Sequence, residues 1–252
     1  MKTTGNTILM TGGGSGIGRE LARELHALGN TVIVAGRTPA SLNETIEGRD
    51  GMHARTLDVG NAEDIANFAA ELVKDFPALN TLFNNAGVMA KEDWLADPVD
   101  LTITDNTITT NVLGPIRLTA ALLPHLRARP AARVVNVTSG LAYVPLAHTP
   151  AYSASKAAMH AWTQSLRYLL KDTNVEMIEL APPGVQTGLT PGQSTRESYM
   201  PLKDFIAETM ESFSIEDTPK EVAVQRAKML RSAEREGRFD QTFKMLNDAY
   251  EG

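Results

Sequence analysis

No cysteine occurs anywhere in the 252 residues. That excludes disulfides and thiolate metal sites, and it leaves the redox compartment open. No apolar run is long enough to span a bilayer, and no signal-peptide core precedes the first strand, because M-K-T-T-G-N-T-I-L-M passes straight into it. The expected location is the cytoplasm, with no membrane partner. Positive charge is not in excess: the formal net charge is −6, which argues against nucleic acid or an acidic membrane as partner. Internal repeats and low-complexity tracts are absent, and none of the five histidines stands at metal-ligand spacing, so no metal is expected. No linker or composition shift divides the chain, and residues 1–252 are read as a single domain.

What is present is alternation of short apolar strands with amphipathic helices. Thr7–Met10 reads as a strand, followed by T-G-G-G-S-G-I-G at Thr11–Gly18. A helix with Ile17, Leu21, Leu25 and Leu28 at helical spacing comes next, and Gly29 stops it. Strand, glycine turn and helix in that order suit a dinucleotide. Glycines admit the backbone to a pyrophosphate, and the helix start offers free N–H groups. The second strand, Thr31–Ala35, ends without a carboxylate and has Arg37 beside it. A carboxylate there suits a ribose 2′-OH, whereas a guanidinium suits a 2′-phosphate, so NADP(H) is expected over NAD(H). Ser15 can add a hydrogen bond.

Further strands are expected at Met52–Leu57, ending at Asp58, and at Thr81–Phe83, leading into N-N-A-G at Asn84–Gly87. Between them Ala62–Asp75 is helical, with Asn61 as its cap. Val99–Arg127 reads as one or two helices holding Asn111, a residue disfavoured inside a helix unless its side chain bonds something. Pro115 nearby is expected to kink the helix.

The chemistry gathers at Val134–Lys156. A buried strand, Arg133–Thr138, delivers Ser139, and a helix from Ala151 carries Tyr152 and Lys156 four residues apart on one face. A nearby cation favours phenolate, so Lys156 together with a second cation is expected to lower the Tyr152 pKa and make it a general acid/base. Ser139 can hold an oxygen on which charge changes.

With these motifs together, the chain resembles the short-chain dehydrogenase/reductase family, single-domain branch, over roughly residues 5 to 190. The carriers are T-G-x-x-x-G-x-G, N-N-A-G, the helical Asn111, the strand ending in Ser139, and Y-x-x-x-K. The resemblance implies an α/β Rossmann fold: a doubly wound parallel sheet of six or seven strands with helices on both faces. It implies Tyr152 as proton donor or acceptor, Lys156 tuning it and bonding the nicotinamide ribose, Ser139 positioning the substrate oxygen, and Asn111 holding a relay water. Cofactor contacts are implied at Gly12, Ser15, Gly16, Ile17, Gly18, Arg37, Asp58, Val59, Asn85, Ala86, Gly87, Val185 and Thr187. It also implies a homo-oligomer, dimer or tetramer.

Two departures stand out. A-P-P-G-V-Q-T at Ala181–Thr187 places Pro183 where the family usually has Gly. Residues 216–252 read as a helical tail, with Thr218-Pro219 and Glu221 as a helix start and Gly237 as a stop, which leaves a seventh strand in doubt. The region 188–215, polar over Gly188–Tyr199 and helical from residue 201, is expected to form a substrate loop or lid. Leu141, Leu146, His148, Met89, Trp94, Gln186 and Leu189 are candidate pocket residues, which points to an uncharged ketone or secondary alcohol. The resulting expectation is an NADP(H)-dependent oxidoreductase acting on a small carbonyl or alcohol. The alternatives are a non-catalytic dinucleotide-binding sensor of the same fold, or the same enzyme using NAD(H).

Overall fold

A computed structural model describes residues 2–251, without side-chain detail for Glu251. Strands and helices alternate: β1 (Thr7–Thr11), α1 (Gly16–Ala27), β2 (Thr31–Gly36), α2 (Pro39–Ile46), β3 (Met52–Thr56), α3 (Ala62–Asp75) and β4 (Leu79–Asn84). The second half runs α4 (Thr102–Ile108), α5 (Gly114–Arg127), β5 (Ala132–Val137), α6 (Pro150–Leu169), β6 (Val175–Leu180), α7 (Leu202–Ser214), β7 (Glu221–Val222), α8 (Gln225–Arg231) and α9 (Phe239–Glu251). The strands form one parallel sheet in the order β3-β2-β1-β4-β5-β6-β7. The order reverses between β1 and β4, and in such sheets the ligand crevice lies at the carboxyl ends of the strands flanking the reversal.

Alternation along the strands splits the core in two. Ile8, Met10, Val32 and Val34 face Leu21 and Leu25 of α1 and Phe205 and Phe213 of α7. Leu9, Ile33, Leu82 and Val134 face Ile65 and Leu72 of α3 and Leu118 and Leu122 of α5. Both faces are therefore covered, as a parallel sheet requires. Among the described residues no helix is long and apolar enough to cross a membrane.

The tail differs from the expectation at one place. Glu221 is not the first turn of a helix. Glu221 and Val222 pair with Glu179 and Leu180 as a short seventh strand, and helix resumes only at Gln225. The β-branched Val222 fills the core beside Leu180, so burial at the open sheet edge outweighed the helix-start signal of Thr218-Pro219. Gly237 does interrupt the tail, with φ at +67°, ahead of α9. Leu230, Ala233, Phe239, Phe243 and Leu246 then pack with Val144 in a third cluster. That cluster presses α8 and α9 onto the segment following β5.

Candidate active site

The glycine turn after β1 is stitched to the end of β4. Thr11 Oγ1 donates to the Phe83 carbonyl and accepts from the backbone N–H groups of Asn85 and Ala86, at 3.0, 3.0 and 3.1 Å. Asn85 Nδ2 donates back to the Thr11 carbonyl at 2.9 Å. The two loops pass so closely that a Cβ on Gly12, whose φ is +66°, would lie 2.8 Å from Ala86 Cα. Ser15 stands before α1 without a side-chain cap on the helix, so the first N–H groups of α1 are left for a ligand.

Those groups open onto a cavity of about 900 Å³. One wall is Gly12, Ser15, Gly16, Ile17 and Gly18, with Asn85, Ala86 and Gly87 beside them. Ser139, Tyr152 and Lys156 form the next wall, and Val185 and Thr187 close it. An uncapped helix start, a glycine turn and a switch-point crevice fit a dinucleotide pyrophosphate. Arg37, Asp58, Val59 and Asn111 do not line this cavity. Arg37 is exposed just beyond β2, with no acidic partner among the described residues. Asp58 accepts from the Gly60 N–H at 2.9 Å, and its own N–H donates to Asp64 at 2.7 Å. Val59 packs under Gly114.

Ser139 follows β5 in extended backbone, and its Oγ accepts from the Leu141 N–H at 3.1 Å. Tyr152 sits in the first turn of α6. That turn is fixed from outside, because Glu92 accepts from the Ala151 N–H at 2.8 Å and Ser153 Oγ accepts from the Leu146 N–H at 3.1 Å. The Ser139 hydroxyl stands beside the Tyr152 phenol. Lys156 Nζ donates to the Val137 carbonyl at 2.8 Å and lies 5.5 Å from the centre of the Tyr152 ring.

The polypeptide alone, without the second cation that a bound nicotinamide would supply, does not lower the phenol. Burial pushes the Tyr152 phenol up to about 12, the Ser139 hydroxyl opposes this, and Tyr199 adds to it. Burial also pulls Lys156 down to about 8. Lys156 therefore does not bring the phenol below its ordinary value here: desolvation outweighs an ammonium whose hydrogen bond is directed at Val137.

Asn111 lies in a π-helical turn, Thr109–Leu113, between α4 and α5. Its Oδ1 accepts from the Val88 N–H at 2.8 Å, and its Nδ2 donates to the Val88 carbonyl and to Ser155 Oγ at 2.9 and 3.1 Å. The point where a Gly87 Cβ would stand is 3.3 Å from Asn111 Oδ1 and 3.6 Å from Lys156 Nζ. The two side chains thus converge on a gap that only glycine leaves open.

Of the candidate pocket residues, Met89, Leu141 and Leu189 line the cavity, while Leu146, His148, Trp94 and Gln186 do not. Leu146 is core and Trp94 is exposed. The Pro182-Pro183-Gly184 run lines the cavity with no positive φ at Pro183. Of the span 188–215 only the part before α7 is loop, because Phe205 and Phe213 draw Leu202–Ser214 into the core as a helix. Sequence reasoning missed Gln193, buried in that loop, whose Nε2 donates to the Val185 carbonyl and to Thr187 Oγ1 at 2.8 and 3.0 Å. It also missed Glu179, the buried one of the two carboxylates in β6. Glu179 accepts from Thr138 Oγ1 at 2.7 Å and Tyr143 at 3.2 Å, and meets His160 at 2.8 Å. Ligand atoms of His160, Glu179 and Glu221 lie within 4.8 Å of one another. Protein groups engage all three, Glu221 through Arg231.

A family model described as short chain dehydrogenase matches residues 6–198. The chain belongs to the short-chain dehydrogenase family. Over 249 residues it is 38% identical to "Uncharacterized oxidoreductase DltE" of Bacillus subtilis (strain 168), covering 98% of each chain. A short chain dehydrogenase from Burkholderia cenocepacia J2315, solved in complex with NADP, superposes with a TM-score of 0.81 at 20% identity, over 98% of this chain and 99% of that one. A relative from Burkholderia phymatum in complex with NAD has a TM-score of 0.71 at 24% identity, over 95% and 89%. This family member is an oxidoreductase of the CH–OH/C=O class, and solved neighbours hold either nicotinamide cofactor.

Proposed function

We propose that the protein is an NADP(H)-dependent oxidoreductase that interconverts a ketone or aldehyde with its alcohol. The carrying observation is the buried Ser139–Tyr152–Lys156 group on the same cavity as the uncapped start of α1. The bound nicotinamide supplies or accepts the hydride. Tyr152 gives its proton to the carbonyl oxygen in reduction and takes it back in oxidation. Ser139 holds that oxygen beside the phenol. Lys156 bonds the nicotinamide ribose, and Asn111 holds a water at the Gly87 gap through which the proton is replaced. Val185 and Thr187, stapled by Gln193, receive the nicotinamide end. Arg37 takes the 2′-phosphate; its exposure and its lack of an acidic partner among the described residues support this role.

A phenol whose pKa stands near 12 stays protonated at neutral pH, which suits reduction. Oxidation needs the ionised phenol and should gain as pH rises. Tyr152→Phe should abolish turnover while fluorescence titration shows NADPH bound with unchanged affinity; turnover near the parent level would remove Tyr152 from the chemistry. Arg37→Asp should weaken NADPH by about tenfold and leave NADH nearly unaffected. Unchanged NADPH affinity would sink the phosphate role. The enzyme is taken to work in the cytoplasm as a homo-oligomer through the outer face of α6, where Tyr168 and Leu169 are exposed, and analytical ultracentrifugation tests the assembly.

A further inference from the structure

The cavity is electrostatically one-sided. The chain carries 30 Asp and Glu against 24 Lys and Arg. Yet among the described residues no acidic side chain lines the cavity, and the charged residues that do are Lys156 and Arg226. Lys156 is held by the Val137 carbonyl. Arg226 has no ion pair among the described residues. Glu208 of α7, whose carboxylate reaches the start of Arg226's helix, accepts instead from the backbone N–H of Gln225.

Arg226 lies at the substrate end. Its helix, α8, packs on the turn after Ser139: Leu230 Cδ1 stands 2.9 Å from the point where a Gly140 Cβ would be. Arg226 precedes Leu230 by four residues and shares its face. Around it the wall is Met229, Met245 and Leu246, with Tyr250 meeting Tyr199 phenol to phenol. Arg226 is itself exposed at the rim of the cavity, where its guanidinium can turn onto an anion entering beside the apolar wall.

We propose that Arg226 receives an anionic group, a carboxylate, sulfonate or phosphate, carried by the carbonyl substrate. The substrate is then a charged oxo-compound, not the uncharged ketone that the apolar pocket residues suggested. This inference rests on the oxidoreductase reading above.

Two measurements test it and separate it from that reading. The first is NADPH oxidation with 4-oxopentanoate and with its neutral methyl ester. The expected result is that the parent prefers the acid, and that Arg226→Ala lowers the acid-to-ester ratio of kcat/KM about tenfold, through KM. Arg226→Lys should restore part of the preference. Lys228→Ala, which removes the same charge from α8 at a position outside the cavity, should keep the ratio. The second is calorimetric binding of pentanoate and pentanesulfonate, which have no carbonyl to reduce. Both should bind the parent and weaken about tenfold in Arg226→Ala. Anion binding that depends on Arg226, without carbonyl turnover, would uphold the anion site and overturn the oxidoreductase reading. Carbonyl turnover with an unchanged acid-to-ester ratio, or absence of anion binding, would overturn the anion site. Loss of NADPH affinity in Arg226→Ala would also overturn it, by assigning the cation to the cofactor.

Discussion

Replacing Lys156 with Met should stabilise the protein at pH 7. The side chain is only 5% exposed, and burial pulls its pKa from 10.5 to about 8. A tenfold change in a protonation equilibrium is worth about 1.4 kcal/mol, so keeping this ammonium charged in the fold costs roughly 3 kcal/mol at neutral pH. The hydrogen bond to the Val137 carbonyl is lost in the variant and offsets about 1 kcal/mol of the gain. Met fills a similar volume, which leaves a net gain of about 2 kcal/mol. The pH dependence follows from the depressed pKa. Below about 8 the lysine is protonated in both the folded and unfolded states, and the full cost is present. Between that value and 10.5 the unfolded chain binds the proton while the fold does not, so parent stability rises with pH. Above 10.5 both states are neutral and the cost is gone. Urea unfolding of parent and variant at about pH 7 and about pH 10.5 measures the difference. The gain should be present at the first pH and gone at the second, and the variant should be inactive at both. A variant less stable than the parent at pH 7, or a gain that does not shrink with pH, would refute the claim that burial strains this ammonium.

Two further changes probe the supports of the site. A methyl on Gly18 would collide with Asn85 Nδ2 and with the Gly12 carbonyl oxygen; Gly18→Ala should cost about 1–3 kcal/mol in urea unfolding and abolish NADPH binding. Burial acts to raise the Glu179 pKa, but hydrogen bonds from His160 and Thr138 outweigh it and hold the carboxyl below its ordinary value. Glu179→Ala should therefore destabilise by roughly 3 kcal/mol at pH 7, and the difference should shrink as pH falls through that lowered range.

The α/β alternation was legible because each strand and helix carries its own period. α3 begins and ends where the pattern of Ile65, Phe68 and Leu72 predicts, and its Asn61 cap accepts from Glu63 and Asp64 N–H groups. The proposed catalytic group was found together on one cavity for a different reason: Tyr152 and Lys156 are local, four residues apart on one helix, and Ser139 precedes them by one short loop. What escaped sequence reading depends on contacts between distant segments. β7 has two residues, too few for any period, and exists because the edge of β6 needs a partner. Gln193 is an ordinary loop residue until the chain folds it onto Val185 and Thr187.

The same distinction explains why the cofactor half of the site was read more fully than the substrate half. The proposed cofactor site rests on backbone geometry at the glycine turn and at the end of β4, and backbone geometry leaves glycines at fixed intervals. The proposed substrate wall comes from α8 and α9, beyond residue 198 where the family match ends. These helices reach the cavity only through tertiary contacts, including Asn247, which accepts from the Ala147 N–H at 2.7 Å. That bond ties α9 to the loop between Ser139 and Tyr152, so the tail proposed to shape substrate choice is fastened to the loop that joins the proposed catalytic residues. A change in α9 should therefore alter KM among carbonyl substrates while leaving NADPH affinity intact. Met245→Ala, which opens the apolar wall, is the simplest case. A parallel loss of cofactor binding would mean that α9 supports the whole crevice and not its substrate end alone.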